Sequence, residues 1–326
     1  MQRFKVLGFL ALLAIVSISQ AEECIEIGVK DQDKKYQGYG IHSTGNYCIT
    51  ADVSVNEQYE WNHGWSRIYR RPAALGINAS NVETDLQKHT MTSKASNAIN
   101  SLAINIVSNQ KNILIKNGTL RVIGKQAVGV FRRPSGSSFI TVPSQRFKSL
   151  KVESCSMGHW FCEDTSYLDS IDKLPPQYQD VHITIDNIHI FTTYRGVQLA
   201  DNHNTIRNST IEVDDNTAIY LMGQYPVIEN NTIIIHSNKN GDTETQKKYN
   251  IQIKDGAIKL RDAKGGIIRN NRIIYKGGLF SGKAPVAINL LDSKDVLIEG
   301  NTIEGFENLV RENGDTSYSE NNNTMK

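Results

Sequence analysis

A six-residue pattern recurs along the chain: Ile, any residue, Asn, any residue, Thr, and then an apolar residue. Five close copies and one looser copy occur: IKNGTL from Ile115, IDNIHI (the looser one) from Ile185, IRNSTI from Ile206, IENNTI from Ile228, IRNNRI from Ile268 and IEGNTI from Ile298. One short apolar segment arises easily by chance, whereas a unit that returns six times does not. The pattern therefore predicts a stack of similar structural repeats.

The segment Ala287–Ile303, AINLLDSKDVLIEGNTI, shows the content of one repeat. It reads as a short strand, a polar turn, a second strand, an Asn corner and a third strand. Alternation with a period of two directs one set of side chains to the same side of these strands. That set consists of Ile288, Leu290, Val296, Ile298 and Ile303. We expect these side chains to form the core of a β-solenoid.

The first strands of the later repeats set the length of the unit. They begin with AVGV at Ala127, GVQL at Gly196, AIYL at Ala218, AIKL at Ala257 and AINL at Ala287. Aligned on the last apolar residue, with Val130 opposite Ile106 and Leu199, they give a base spacing of about 22 residues. Insertions then fall near residues 132–180, 236–255 and 275–285. Long loops in a domain of this kind are usually functional, so they predict a groove over the first-strand sheet.

Residues 1–21 have the layout of a cleavable secretory signal, with Arg3 and Lys5 before an apolar run from Val6 to Ile18. An anchoring helix is the alternative, but the run is shorter than the ~20 residues that span a bilayer. We therefore expect a secreted or periplasmic protein with no membrane span in the mature chain. The mature chain keeps 34 Lys and Arg against 34 Asp and Glu, which disfavours nucleic acid as a partner.

Residues 22–73 lack the repeat and are rich in Tyr, Gly and Trp, so they predict a cap over the open end of the solenoid. Four cysteines in an oxidising compartment favour disulfides over metal ligation. Three pairings are formally open. Proximity in the sequence favours Cys24 with Cys48 and Cys155 with Cys162.

The signal segment, the VETDLQKHTM repeat and the Ile-x-Asn-x-Thr corners resemble the secreted right-handed parallel β-helix proteins, the pectin-lyase-like superfamily. The resemblance covers residues 74–326 and implies an all-β solenoid of about eight coils. It is specific for fold but not for reaction. The superfamily includes polysaccharide lyases, glycoside hydrolases, epimerases, phage tailspikes and non-catalytic surface proteins.

The repeated Asn residues predict an internal ladder, because equivalent side-chain amides in successive coils would lie ~4.8 Å apart and exchange hydrogen bonds. Asn also tolerates the left-handed backbone of a sharp corner. The expected ladder is Asn117, Asn187, Asn208, Asn231, Asn271 and Asn301. We interpret these residues as structural rather than functional.

Charged and aromatic side chains concentrate on the outward face of the middle first strands. Solvated surface is the alternative interpretation, since exposed Lys and Arg are common. For β-elimination from a uronic acid, a base must remove a proton while cations neutralise the adjacent carboxylate. We assign Lys259 as the base beside Arg261, Arg195 as the carboxylate clamp and Tyr220 as the proton donor or sugar platform. Further substrate contacts are predicted at Gln198, Asn289, Asp214, Asp215 and, from the 132–180 loop, Trp160.

Hydrolysis is the less favoured reaction. The pair Asp214–Asp215 resembles the paired Asp of the polygalacturonases, but their Gly-His-Gly pattern is missing from this sequence. No cofactor is expected. The oxygen-rich stretch of Asn238, Asn240, Asp242 and Glu244 leaves Ca²⁺ open, although its glycine placement does not suit a calcium loop. Three classes remain: an enzyme on acidic polysaccharide, a non-catalytic glycan-binding protein and a structural or adhesion protein.

Overall fold

The structure, a computed structural model, describes residues 24–28, 38–55, 60–63, 66–69, 73–94, 101–107, 109–124, 127–132, 178–214, 216–237, 255–277 and 283–326. In these ranges the chain is all β. The N-terminal strands are β1 (Ile25–Ile27), β2 (Tyr39–Ile41), β3 (Gly45–Ile49), β4 (Val53–Val55), β5 (Glu60–His63), β6 (Ser66–Tyr69), β7 (Ala73–Ile77), β8 (Val82–Asp85), β9 (Thr90–Lys94) and β10 (Ser101–Ile106).

The chain then continues through eighteen further strands. They are β11 (Ile113–Ile123), β12 (Ala127–Arg132), β13 (Ile183–Thr192), β14 (Arg195–Ala200), β15 (Thr205–Arg207), β16 (Thr210–Asp214), β17 (Ile219–Met222), β18 (Val227–Glu229), β19 (Thr232–His236), β20 (Ile258–Arg261), β21 (Ile267–Arg269), β22 (Arg272–Lys276), β23 (Ala284–Leu291), β24 (Val296–Glu299), β25 (Thr302–Glu304), β26 (Phe306–Asn313), β27 (Tyr318–Asn321) and β28 (Thr324–Met325).

Two parallel sheets wrap one core. The nine-stranded sheet consists of β2, β7, β10, β12, β14, β17, β20, β23 and β26, one strand from each coil. The other two strands of each coil join a 17-stranded sheet, in which β11 and β13 run through the corner without a break. The predicted coil at 287–303 is confirmed as three strands, β23, β24 and β25. The architecture is the predicted parallel β-solenoid, with nine first strands among the described residues.

The repeated Ile of the sequence pattern forms a continuous column in the core. Ile115, Ile185, Ile206, Ile228, Ile268 and Ile298 pair in register from coil to coil and are all fully buried. Parallel pairing without slippage places identical side chains against one another, and branched Ile packs well on such a pleated surface. The column explains why the repeat was visible in the sequence.

The N-terminal segment contributes to both sheets. Strand β2 pairs with β7, while β3 and β4 pair with β8 and β9, all in parallel. The solenoid therefore extends N-terminal to Ala74, the predicted start of the coils. A separate antiparallel pair, β5 with β6, precedes β7. The capping role of residues 22–73 stays a prediction.

The Asn corner differs from its prediction by one residue in its first three coils. Asn117, Asn187 and Asn208 have φ of 60°, 53° and 52°, and they belong to a left-handed column that continues through Asn230 and Asn270. These side chains lie on the rim of the solenoid and not inside it: Asn187 and Asn208 are exposed and Asn117 is half-buried. Asn tolerates this backbone at lower cost than most residues, so the column serves the turn.

The internal ladder is formed by the next residue along the chain. It includes the predicted Asn231, Asn271 and Asn301, begins at Ser209 and ends at Asn323. The Nδ2 group of Asn271 donates to Oδ1 of Asn301 at 3.0 Å and to the Ile228 carbonyl at 2.9 Å. Its own Oδ1 accepts from the backbone N and Nδ2 of Asn231, both at 3.0 Å. Each buried amide is thus satisfied by its two neighbours.

The ladder generates a stability prediction. Asn271→Ala should lower the free energy of unfolding by about 1–3 kcal/mol, because the Asn231 amide and the Ile228 carbonyl lose their buried partner. Urea denaturation followed by circular dichroism measures the change. Asn270→Gly is the matched control, since Asn270 is exposed, has φ of 54° and neighbours the ladder. Equal stability of the Asn271→Ala and wild-type chains would contradict the ladder's contribution.

Candidate functional site

The outward row predicted from alternation lies on the nine-stranded sheet. Parallel register places Phe131, Gln198, Tyr220, Lys259 and Asn289 side by side on successive strands, β12, β14, β17, β20 and β23. A second row contains Ala200, Met222, Arg261 and Leu291. The structure thus brings most of the predicted catalytic residues onto one surface, which we call the cationic face.

The alignment of β12 was wrong by two residues. Val130 pairs with Ile104 and Val197, not with Ile106 and Leu199. As a result, Phe131 occupies the row of Gln198, and Arg132 pairs with Ile106. This shift brings Arg132, a residue that the sequence gave no reason to select, to the end of the strand beside the cationic face.

The cationic face is closed, whereas an open groove was predicted over this sheet. Lys259 and Arg261 each expose 4% of their surface, Arg195 exposes 6%, and Tyr220 is fully buried. Tyr178, which the sequence analysis did not select, packs on Tyr220 and its neighbours Ala200 and Met222. The side chains are therefore clustered and desolvated, which rules out the alternative of splayed, solvated cations.

Arg195 makes contacts with neutral groups. Its Nη1 donates to Oε1 of Gln198 at 2.9 Å, and its guanidinium lies 5.1 Å from the ring centroid of Tyr194 and 5.4 Å from that of Tyr220. Among the described residues it contacts no carboxylate, and its Nε has no hydrogen-bond partner. Ring faces and an amide oxygen stabilise a buried cation less completely than a carboxylate does.

The other two predicted cations have acidic neighbours. Lys259 Nζ lies 3.3 Å from Oδ2 of Asp255 and 5.3 Å from the ring centroid of Tyr220. Arg261 Nε lies 3.6 Å from Oδ2 of Asp262. Tyr220 thus lies between Arg195 and Lys259, with both cations over its ring. The three side chains assigned as base, clamp and proton donor therefore lie close together, and Asp255 lies beside the Lys259 ammonium.

Two further pairs of interacting residues lie at this face, and the sequence analysis selected neither pair. Tyr178 donates its hydroxyl to Oδ2 of Asp262 at 2.7 Å, and burial raises the pKa of Tyr178 well above its usual range. Arg132 Nη2 and Asp201 Oδ2 form a fully buried ion pair at 2.8 Å. Burial lowers the pKa of Arg132 and the Asp201 charge opposes that shift. Alternation within strands carried no signal for these residues, since Arg132 ends β12 and the other three lie outside strands.

The remaining predicted site residues lie elsewhere. Asp214 ends β16 in the 17-stranded sheet, where it pairs with His236, so it does not belong to the cationic face. Asp215 and Trp160 lie outside the described residues, as do the 236–255 calcium candidates Asn238, Asn240, Asp242 and Glu244 and the pair Cys155 and Cys162. Cys24 and Cys48 form a disulfide, with their Cα atoms 5.7 Å apart.

Within the described ranges, the chain has neither a metal-binding cluster nor a membrane-spanning helix. Among those residues, no group of three or more His, Cys, Asp and Glu side chains is arranged to hold a metal ion. The same part of the chain contains no helix with the length and apolar character needed to cross a bilayer.

Comparisons with known proteins agree with the fold. Residues 177–326 match the family model described as a right-handed β-helix region. The prediction of a right-handed parallel β-helix fold is confirmed. A search of curated proteins found no match.

Two solved structures are similar in outline. One is the enzymatically active domain of bacteriophage CBA120 tailspike protein 2, at 10% identity and a TM-score of 0.41. The alignment covers 89% of this chain and 39% of the tailspike chain, so this chain spans well under half of that protein's length. The other is the Streptococcus pneumoniae surface protein and adhesin PfbA, at 13% identity and a TM-score of 0.26, with 89% and 90% of the chains covered.

The buried ion pair gives a testable prediction. Asp201→Asn keeps the side-chain shape and suits the backbone φ of 80°, but it leaves the Arg132 charge without its carboxylate. We expect a loss of about 3–5 kcal/mol in the free energy of unfolding, measured by denaturant titration. Asp292→Asn is the control, because Asp292 is exposed and has φ of 49°. Similar small losses in both variants would contradict a structural role for the pair.

Proposed function

We propose that this protein acts on an acidic polysaccharide and that an anionic sugar group binds at the cationic face. Arg195 carries the proposal. It is almost fully buried, and within the described structure it contacts an amide oxygen and two ring faces but no carboxylate. A buried charge without an opposite partner is costly, and a sugar carboxylate is the kind of group that a guanidinium binds in a bidentate manner.

The reaction we propose is β-elimination. Arg195 would neutralise the uronate carboxylate and so acidify the proton on the adjacent carbon. Lys259, in its neutral form, would remove that proton, the electron pair would form a carbon–carbon double bond, and the glycosidic carbon–oxygen bond would break. The leaving oxygen would take a proton from the Tyr220 hydroxyl. Arg261 lies on the same strand as Lys259 and would add a second positive charge beside the uronate carboxylate.

The closed state of the face favours a second candidate, a non-catalytic glycan-binding or structural surface protein. The four predicted side chains expose 0–6% of their surface, and Lys259 is paired with Asp255. A substrate would have to displace the side chains that cover the face, and Tyr178 is one of them.

The function is tested on the full chain with polygalacturonate, alginate and chondroitin sulfate, with and without Ca²⁺. Elimination creates a double bond that absorbs ultraviolet light, whereas hydrolysis creates reducing ends alone. We expect elimination from at least one polymer. Lys259→Met, which keeps most of the side-chain volume, should lower the rate by at least ~10²-fold with binding largely retained. Arg195→Met should weaken binding of the acidic polymer by about tenfold or more, because it removes the carboxylate clamp.

Arg311→Met is the matched control for these variants. Arg311 lies in the same row as Lys259 and Asn289, but on the terminal strand β26. Its substitution should change rate and binding by less than about twofold. Reducing ends without ultraviolet absorbance would contradict the lyase reaction and indicate a hydrolase. Binding without cleavage of any polymer would leave the non-catalytic role, and absence of binding would leave the structural one.

A further inference from the structure

A second surface, on the 17-stranded sheet, has the shape of a ligand site. It is a concave region of about 800 Å³ at the Asn corner, and we call it the corner groove. Its lining residues are Asp85, Gln87, Lys88, Asn117, Gly118, Thr119, Asn187, Ile188, His189, Asn208 and Thr210. They come from four successive coils, so the groove runs along the solenoid axis for roughly 14 Å at the usual strand spacing. It shares no residue with the cationic face.

The floor of the groove is made of side-chain amides in a fixed chain of hydrogen bonds. Asn187 Nδ2 donates to Oδ1 of Asn117 at 2.9 Å, and Asn117 Nδ2 donates to Oδ2 of Asp85 at 3.0 Å. Asn208 Nδ2 donates to Oδ1 of Asp186 at 2.8 Å. These hydrogen bonds join side chains of successive coils and hold each amide in one orientation. The amides are therefore rigid before any ligand arrives.

The remaining polar groups of the groove are amide oxygens and hydroxyls. The Oδ1 atoms of Asn187 and Asn208 accept no hydrogen bond from the described residues, and the hydroxyls of Thr119 and Thr210 make none there. Register places His189 between the two threonines, directly opposite both. One wall of the groove is thus a row of hydrogen-bonding side chains repeated at every coil, about 4.8 Å apart.

One end of the groove is closed by a wider turn. Gln87 and Lys88 adopt φ of 46° and 69°, and the Lys88 backbone N donates to the Asn117 carbonyl at 2.6 Å. Gly118 permits this turn to approach, because a Cβ at that position would lie 2.3 Å from the Leu86 Cβ. The turn at this end of the groove suits a linear chain that ends there.

We propose that the corner groove binds a neutral, linear oligosaccharide. Its lining is mostly uncharged, and amide and hydroxyl groups recurring along a line match a ligand that carries hydroxyls at every repeating unit. Charged groups are few and mixed in sign, with Lys88 against Asp85, which does not suit a polyanion. His189 also donates through Nε2 to Oε1 of Glu212 at 2.9 Å, which fixes its ring at the groove wall.

The probes are cellohexaose, xylohexaose, maltohexaose and chitohexaose, titrated into the full chain by isothermal calorimetry. We expect at least one to bind. The double variant Asn187→Gly with Asn208→Gly removes both acceptors and keeps the left-handed backbone, as Gly300 does at the equivalent corner. Its affinity should fall by about tenfold or more, because both acceptors lose their hydrogen bonds to the ligand. Thr210→Val, an isosteric change, should weaken binding by several-fold for the same reason.

Asn270→Gly is the control, because Asn270 belongs to the same left-handed column but lies outside the groove. Its affinity should stay within about twofold of wild type. Arg195→Met should also leave neutral-glycan binding unchanged, which separates this proposal from the one for the cationic face. The proposal is overturned if none of the four probes binds, if the Asn187 and Asn208 double variant binds as tightly as wild type, or if Asn270→Gly weakens binding equally.

Discussion

Parallel backbone hydrogen bonding between coils is the constraint on which the rest of this structure depends. Each strand pairs with its equivalent in the next coil, so every side chain lies directly against the residue at the same position one coil away. A one-residue slip would turn the buried Ile column outward, at a cost of roughly 1.5–3 kcal/mol for each apolar side chain exposed. Register is therefore fixed coil by coil, and any property of one position becomes a column along the whole solenoid.

On the outer surface, one such column consists of charged side chains. At one position of the 17-stranded sheet, the residues in successive coils alternate in charge: Asp85, Lys116, Asp186, Arg207, Glu229, Arg269 and Glu299. Arg207 pairs with Asp186 at 2.8 Å, and Arg269 pairs with Glu229 at 2.6 Å. Each exposed pair is worth little by itself. A shifted coil, however, would lose these pairs, so the column adds to the register preference of the core.

The same logic explains what the sequence could reveal. The Ile column and the row of Tyr220 and Lys259 were predictable, because alternation within a strand and recurrence between coils point to the same positions. The Asn ladder was misplaced in its first coils because two adjacent polar positions, at Asn208 and Ser209 for example, both suit a corner, and only backbone φ separates them. The closure of the cationic face depends on contacts between distant segments, such as Tyr178 with Asp262, for which a local pattern carries no information.

The two candidate surfaces differ in how their polar groups are stabilised, and the two ligand proposals rest on that difference. At the cationic face, water is excluded, so a buried cation must be balanced by a nearby charge. Asp201 provides this for Arg132 at 2.8 Å, whereas the contacts described for Arg195 supply partial charges only. In the corner groove, amides and hydroxyls remain accessible to water, which can satisfy them at little cost. Under the two proposals, selectivity for an anion would arise from desolvation at the cationic face, and selectivity for a hydroxyl-rich chain would arise from the spacing of rigid acceptors in the corner groove.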